Sequence, residues 1–434
     1  MTRDELILAH KTYLFPATFH YFDEALVLDH AKDQFCYDAD GNEYLDFFGG
    51  IVTVSVGHGN AAVQQAMRTQ MDKLVHVSNC FATEPMVALA QKLAQIAPLA
   101  KVEGKPAKTF FTNSGTEADE TAVLAARLYT GSTEIIALRH GYHGRSALAM
   151  ALTGHASWRL GPLTQPGIVH AHNAYCYRCP FGLKYPECGV RCATDLEELI
   201  KTSTSGHIAA MIAEPIQGVG GFITPPQEYF PIVAEIVRKH GGLFISDEVQ
   251  TAWGRTGTKW FGIEHWGVTP DIITSAKGLA NGMPIGVTVA RADVADAMKG
   301  LTISTFGGNP VATAAGNAVL EFIEQQKLLE NTEKVGAYLK AQLEGLQEKH
   351  ALIGEVRGMG LLLGVELVRN RQTKEPAAAE TNTLLARCRD QRLLIGKGGL
   401  YGNVIRISPP MNIGTGDVDE FIRRFDAALT GLGA

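Results

Sequence analysis

Between about residues 60 and 310 the sequence repeats one texture, a short apolar run followed by an amphipathic stretch. KTFFTN (108–113), TEIIALR (133–139), IAAMIAEP (208–215), LFISDEV (243–249), DIITSAK (271–277) and IGVTVAR (285–291) are continuous apolar runs, not alternating ones. Strands read this way when both faces are covered, and a sheet covered on both faces by helices is mostly parallel. GTEADETAVLAARLYTG supplies a helix after the first run. YFPIVAEIVRKHGG supplies another before LFISDEV, with Gly241 and Gly242 to end it. The expected fold class is α/β.

After TFGGNP (305–310) the texture changes. Long amphipathic helices follow, then strands at GEVRGMGLLLGVELV and VIRISPPMNI, the pattern of a smaller α+β unit. Near the other end, FCYDADGNEYLDFFGG turns back on itself at DADGN and is expected to pack with that unit. A chain of 434 residues is long for one core. The expected division is residues 1–55 as part of a small domain, 56–310 as a large domain, and 311–434 as the rest of the small domain.

Several classes of function drop out. The net charge is −6 with no basic block, so nucleic acid is not an expected partner. No uninterrupted apolar run reaches the roughly 18 residues of a membrane helix. MTRDELILAHKTYLF carries Asp4 and Glu5 and lacks the pattern of a secretory or transit peptide, so a cytoplasmic protein is expected. Seven cysteines, three of them scattered at Cys36, Cys80 and Cys388, suit a reducing compartment.

Open α/β sheets bind ligands beyond the carboxyl ends of their strands. Four stretches with chemistry fall there: Ser114-Gly115-Thr116, Glu214, Asp247 and Lys277. Ser114-Gly115-Thr116 opens a helix, so it reads either as a cradle for phosphate or as an ordinary N-cap with Glu117 in the first turn. Neither a Walker loop nor a dinucleotide fingerprint is present. Lys277, flanked by Ala276 and Gly278, would be partly desolvated, which favours the neutral nucleophilic amine. Asp247 at the end of an apolar strand needs a cationic partner to stay ionised. A phosphate cradle, an amine that traps an aldehyde and a buried carboxylate for a pyridinium nitrogen together describe pyridoxal 5'-phosphate.

NSGTEA, GYHGRS, AEPIQGVGG, GGLFISDEVQTAWGRTG, PDIITSAKGLANGMPIG and STFGGNPVATAA occur in that order along the chain. With these blocks the sequence resembles, nearly end to end, the class III (ω-) pyridoxal-phosphate-dependent aminotransferases of fold type I. YLDFFGGIVTVSVGHGN (44–60) is most similar to the alanine–glyoxylate aminotransferase 2 subgroup. The resemblance implies a large, mostly parallel-sheet domain plus a smaller α+β domain built from both termini. It implies a ping-pong Schiff-base transfer of an amino group between an amino acid or ω-amine and a 2-oxo acid. An alanine–glyoxylate reaction is one form. 4-Aminobutyrate and acetylornithine-type transfer, or racemase, lyase or decarboxylase chemistry on the same scaffold, are the alternatives.

Residue by residue, the resemblance assigns Lys277 to the cofactor aldehyde and to proton transfer, and Asp247 to the ring nitrogen. Val249 and Tyr142 would flank the ring, Gln250 would lie near its hydroxyl, and His143 and Gly144 would shape the Tyr142 loop. Ser114, Gly115 and Thr116 would hold the phosphate, joined by Thr305 from a neighbouring subunit. That implies a homodimer with shared sites, alone or paired into a tetramer. Arg406 would grip a substrate carboxylate and Arg145 a second, distal one. Glu214 would neutralise Arg406 when an ω-amine enters. The reaction needs no metal. The cluster Cys176, Cys179, Cys188 and Cys192 leaves zinc, disulfides and packed thiols as alternatives.

Overall fold

The computed structural model describes residues 1–18, 20–22, 25–161 and 165–432. Its centre is a seven-stranded sheet. In chain order the strands are β1 (Lys108–Thr112), β2 (Ile135–Leu138), β3 (Ile168–Ala171), β4 (Ala210–Ala213), β5 (Leu243–Asp247), β6 (Ile272–Ser275) and β7 (Gly286–Ala290). Their order across the sheet is β1-β7-β6-β5-β4-β2-β3. Only β7 runs antiparallel to its neighbours; the other pairings are parallel. Every residue of β2, β4, β5, β6 and β7 is buried, which is why these runs are continuously apolar.

The six apolar runs named from sequence differ from the strands by a few residues at their ends, and the last of them, β7, is the antiparallel one. β3, in GIVHA, lies outside them because only its last residue is buried and its pattern is weak. The helix Gly115–Thr130 packs across β7 and β6. Tyr229–Lys239 packs against Arg191–Ser203 on the other strands' flank. Gly241 ends the former with a φ of +76°, a left-handed turn that glycine takes without strain.

Two further sheets bracket this centre. One pairs Leu28–Lys32, Phe35–Asp38 and Glu43–Asp46 with Leu393–Leu394, and so ties the two ends of the chain together. Its hairpin is the expected DADGN turn, held by Asp38 Oδ1, which accepts from the Asp40 and Asn42 amides. The other is antiparallel and contains Ile353–Met359, Leu362–Asn370, Val404–Ile407 and Gly396–Gly398. The helices Pro310–Gln325 and Leu328–Lys349 lead into it, with Lys327 in the left-handed region between them.

All the parallel strands point their carboxyl ends to one edge of the central sheet. β7 begins at that same edge, so its first residue, Gly286, faces the turn after β1. A Cβ on Gly286 would sit 2.2 Å from the Ser114 carbonyl oxygen, so a side chain there is sterically excluded.

Candidate active site

Lys277 follows β6 directly and adopts a φ of +44°, a costly conformation for a residue with a side chain. The amine feels the charges of Arg406, Asp247, Glu214 and Asp119, so these groups share one site with it. Burial lowers its basicity, and the Arg406 cation adds to that. Asp247, Glu214 and Asp119 oppose the change, and the net pKa is about 8 against the usual 10.5. A useful fraction of neutral amine is therefore present near neutral pH.

Asp247 is the last residue of β5 and is buried. One of its oxygens pairs with His143 Nδ1 at 2.7 Å, and the other accepts from the Val249 amide at 3.0 Å. His143 is buried as well. Burial alone would lower this imidazole, but the hydrogen bond and charge of Asp247 outweigh it and hold the ring above its ordinary value. The partner that a buried Asp247 needs is thus His143, which does more than shape the Tyr142 loop. Its place in YHG, at the end of the loop after β2, gave no sign of that contact.

Glu248 answers the other half of the DE pair. It is fully buried. Its carboxyl accepts from Ser246 Oγ, Thr251 Oγ1 and the amides of Gly262 and Ile263. It pins the loop after β5 back onto the sheet.

The loop after β1 forms the N-cap that is one of the two readings open from sequence. Ser114 is an N-cap, and its hydroxyl also donates to Glu117 Oε2 at 3.2 Å. The Asn113 amide donates to the same carboxylate at 2.7 Å. Thr116 Oγ1 is engaged with Ser146, whose Oγ in turn donates to Glu120 at 2.5 Å. What the helix start offers an anion is therefore mainly its backbone N–H groups. Close packing keeps that surface bare: a Cβ on Gly115 would meet Val249 Cγ2 at 3.0 Å, and one on Gly144 would meet Thr116 Oγ1 at 2.2 Å.

Tyr142 is half-buried, edge-on to Trp158, and its amide donates to Glu214 Oε1 at 2.9 Å. The second Glu214 oxygen accepts from the Gly218 amide at 2.8 Å. Burial and the Asp247 charge push the Glu214 carboxyl up to about 7, against His143 and these two donors. With both oxygens occupied by backbone, Glu214 does not pair with Arg406. Arg406 Nη2 donates instead to Gln250 Oε1 at 2.6 Å, and its guanidinium lies over the Phe222 ring. Gln250 is thereby drawn to Arg406. Arg145 is exposed on the loop after Gly144. Thr305 is exposed too, in a segment with the exposed apolar side chains Leu301, Ile303 and Phe306.

One residue of the site escaped the sequence reading. Asp119 is buried within the helix Gly115–Thr130, and ligating atoms of Asp119, His143 and Asp247 all lie within 4.8 Å of one another. The signal was available: Asp119 falls on the apolar stripe of Ala118, Ala122, Val123 and Ala126, where an acid is out of place. Cys176, Cys179, Cys188 and Cys192 are elsewhere. They are free thiols around a small apolar pocket shared with Phe181, Leu183 and Val190.

The family model for class III aminotransferases matches residues 20–429. The chain belongs to the class III aminotransferases. Among curated members, it is 42% identical to an Arabidopsis thaliana protein named alanine–glyoxylate aminotransferase 2 homolog 2, mitochondrial, over 98% of this chain and 87% of that one. It is 38% identical to the leucine/methionine racemase of Thermococcus litoralis, over 98% of this chain and 96% of that one. Among solved structures, an amine transaminase from an uncultivated Pseudomonas species, in its pyridoxal-phosphate-bound form, superposes with a TM-score of 0.88 at 32% identity, covering 96% and 98% of the two chains. This class III chain is an enzyme of the pyridoxal-phosphate-dependent fold. The residues at the sheet edge fit that cofactor: an amine of lowered basicity, a buried carboxylate backed by imidazole, and a glycine at the helix start where a Cβ would crowd Val249. Among the described residues, no helix is long and apolar enough to cross a membrane.

Proposed function

We propose that this enzyme moves an amino group between L-alanine or a similar amino donor and a small 2-oxo acid such as glyoxylate. The observation that carries the reading is the convergence of Lys277, of lowered basicity, with the Asp247–His143 pair at one sheet edge. Pyridoxal phosphate, when bound, supplies an electron sink that makes the proton on the substrate α-carbon removable. Lys277 would provide the amine that holds the cofactor aldehyde and the group that accepts and returns the substrate proton. Asp247 holds the ring nitrogen, backed by His143. Val249 and Tyr142 would flank the ring, and Gln250, which holds Arg406, would lie near its hydroxyl. The amides of Ser114, Gly115 and Thr116 bind the phosphate, and Thr305 reaches the phosphate of a neighbouring subunit.

Arg406 takes the substrate carboxylate, which displaces Gln250 from the guanidinium. Glu214 would have to release the Tyr142 and Gly218 amides to serve as the alternative anion for Arg406 when an ω-amine without that carboxylate enters. Arg145 offers a second cation for a distal carboxylate. The exposed apolar residues beside Thr305 support a homodimer with shared sites, alone or as half of a tetramer. The same reading keeps residues 56–310 as the cofactor domain, 1–55 and 311–434 as the small domain, and the cytoplasm as the location.

The test is the visible spectrum of the cofactor-loaded enzyme before and after excess L-alanine with no acceptor. Conversion of the aldehyde-form band to the amine-form band, with release of pyruvate, supports transfer from alanine. An unchanged band redirects the assignment to 4-aminobutyrate, ornithine-type and other ω-amines. A second reading, racemisation, is favoured by the 96% coverage of the Thermococcus litoralis racemase. Loss of chirality from an L-amino acid without any 2-oxo acid would establish it.

A further inference from the structure

Behind Asp247 lies a second buried carboxyl that the proposed reaction does not use. Asp119 is 1% exposed. Its Oδ1 accepts from Thr274 Oγ1 at 2.6 Å, and its Oδ2 is buried with no hydrogen-bond partner. It stands with Asp247 and His143 in a group whose ligating atoms are all within 4.8 Å of one another. We propose that Asp119 is a positioning residue that keeps a proton on its carboxyl and offers it to the Asp247 carboxylate, so that the two acids together present a single, oriented negative charge to the cofactor ring nitrogen. The inference rests on the reading of Asp247 as the residue that faces that nitrogen.

The geometry decides which acid carries the charge. Two buried carboxyl groups this close do not both ionise. Asp247 has the imidazole of His143 at 2.7 Å and the Val249 amide at 3.0 Å. Asp119 has one neutral hydroxyl. The proton therefore resides on Asp119, and the free Oδ2 is the atom to hold it. The groups around Asp119 strengthen the case. Burial first, then the charge of Asp247, raise its carboxyl well above the ordinary range, and Glu214 adds to that while the Thr274 hydroxyl opposes it. The Lys277 amine is the remaining titratable group whose charge is felt together with Asp119. From β7 the neighbour is Thr288, already bonded to the Ala118 carbonyl. The helix Ala147–Leu152, ALAMAL, brings no titratable side chain.

A neutral acid here does two things. It would add a hydrogen bond to Asp247, and it would draw charge from that carboxylate through the shared proton. Asp247 then meets the ring with a third anchor beside the His143 imidazole and the Val249 amide.

Two substitutions separate this role from filling of space. Asp119→Asn keeps the volume and still donates an N–H to Asp247. Asp119→Leu keeps approximately the volume but offers no donor. At pH 7 the difference infrared spectrum of wild type minus Asp119→Asn, recorded without and with cofactor, is expected to show a deuterium-sensitive C=O stretch of a protonated carboxyl. The dissociation constant for pyridoxal phosphate should be near wild type in Asp119→Asn. In Asp119→Leu it should rise about tenfold, the loss expected for one hydrogen bond to a charged group.

Absence of the protonated-carboxyl band from the wild type would overturn the proposal. So would an Asp119→Leu protein that is folded and binds the cofactor as the wild type does. If Asp119→Leu does not fold, the infrared comparison with Asp119→Asn still decides the matter. Failure of the wider functional reading looks different: no cofactor spectrum that depends on Lys277, whatever stands at position 119.

Discussion

Replacing Lys277 by methionine should stabilise the cofactor-free protein at neutral pH. The fall of the Lys277 pKa from 10.5 to about 8 measures how much the fold disfavours its charged form. That difference corresponds to about 3 kcal/mol at pH values below both figures. Lys277 is only partly buried by surface exposure, and solvent screening reduces the gain to about 1–2 kcal/mol. The pH dependence gives the sign. Between about pH 8 and 10.5 the unfolded chain keeps the lysine proton and the folded chain has lost it. Wild-type stability therefore rises with pH through that window relative to the variant. Urea unfolding of both cofactor-free proteins, at matched concentration and at pH 7, 9 and 10.5, reads the gap directly. Lys277→Met should be the more stable at pH 7, with the gap narrowing at 9 and closing near 10.5. A variant no more stable than wild type at pH 7, or a gap that ignores pH, refutes the reasoning.

Glu248→Leu should cost at least about 3 kcal/mol in chemical denaturation, because it strands four donors in the interior. Gly286→Ala should weaken pyridoxal phosphate binding by about tenfold or more, read by spectral titration, because the new Cβ collides with the Ser114 carbonyl and displaces the helix start. Arg406→Lys should raise KM for a carboxylate-bearing donor by about tenfold with a much smaller change in kcat, because a point charge replaces a planar fork. Steady-state kinetics with L-alanine check it.

The parallel core was legible because its strands are buried on both sides and so spell continuous apolar runs. β3 was not, since a strand at the end of the sheet with half-covered residues loses that signature. The site divides in the same way. Lys277, Asp247 and Glu214 could be found because each ends a readable strand. The pairing of His143 with Asp247, 104 residues apart, could not be read, because nothing local distinguishes that histidine from a loop residue. The neighbour that Arg406 chooses was also hidden. Glu214 is consumed by two backbone amides, and that follows from how the loops after β2 and β4 fold over it. Asp119 lay between these cases: its misplaced charge was visible, but its partner was not.

The reversed direction of β7 has a consequence for where the chain can tolerate insertions. Parallel neighbours need a long crossover, usually a helix, and such connections can grow at small entropic cost. β6 and β7 are antiparallel neighbours, so the ten residues from Ala276 to Ile285 bridge them at one edge without any crossover. Lys277 is thus leashed at both ends to fully buried strands. Added residues elsewhere along that edge would reshape the mouth of the pocket and leave the amine where it is. The same addition within this short span would slacken the leash, so length variation should be sparse here and common in the loops around it.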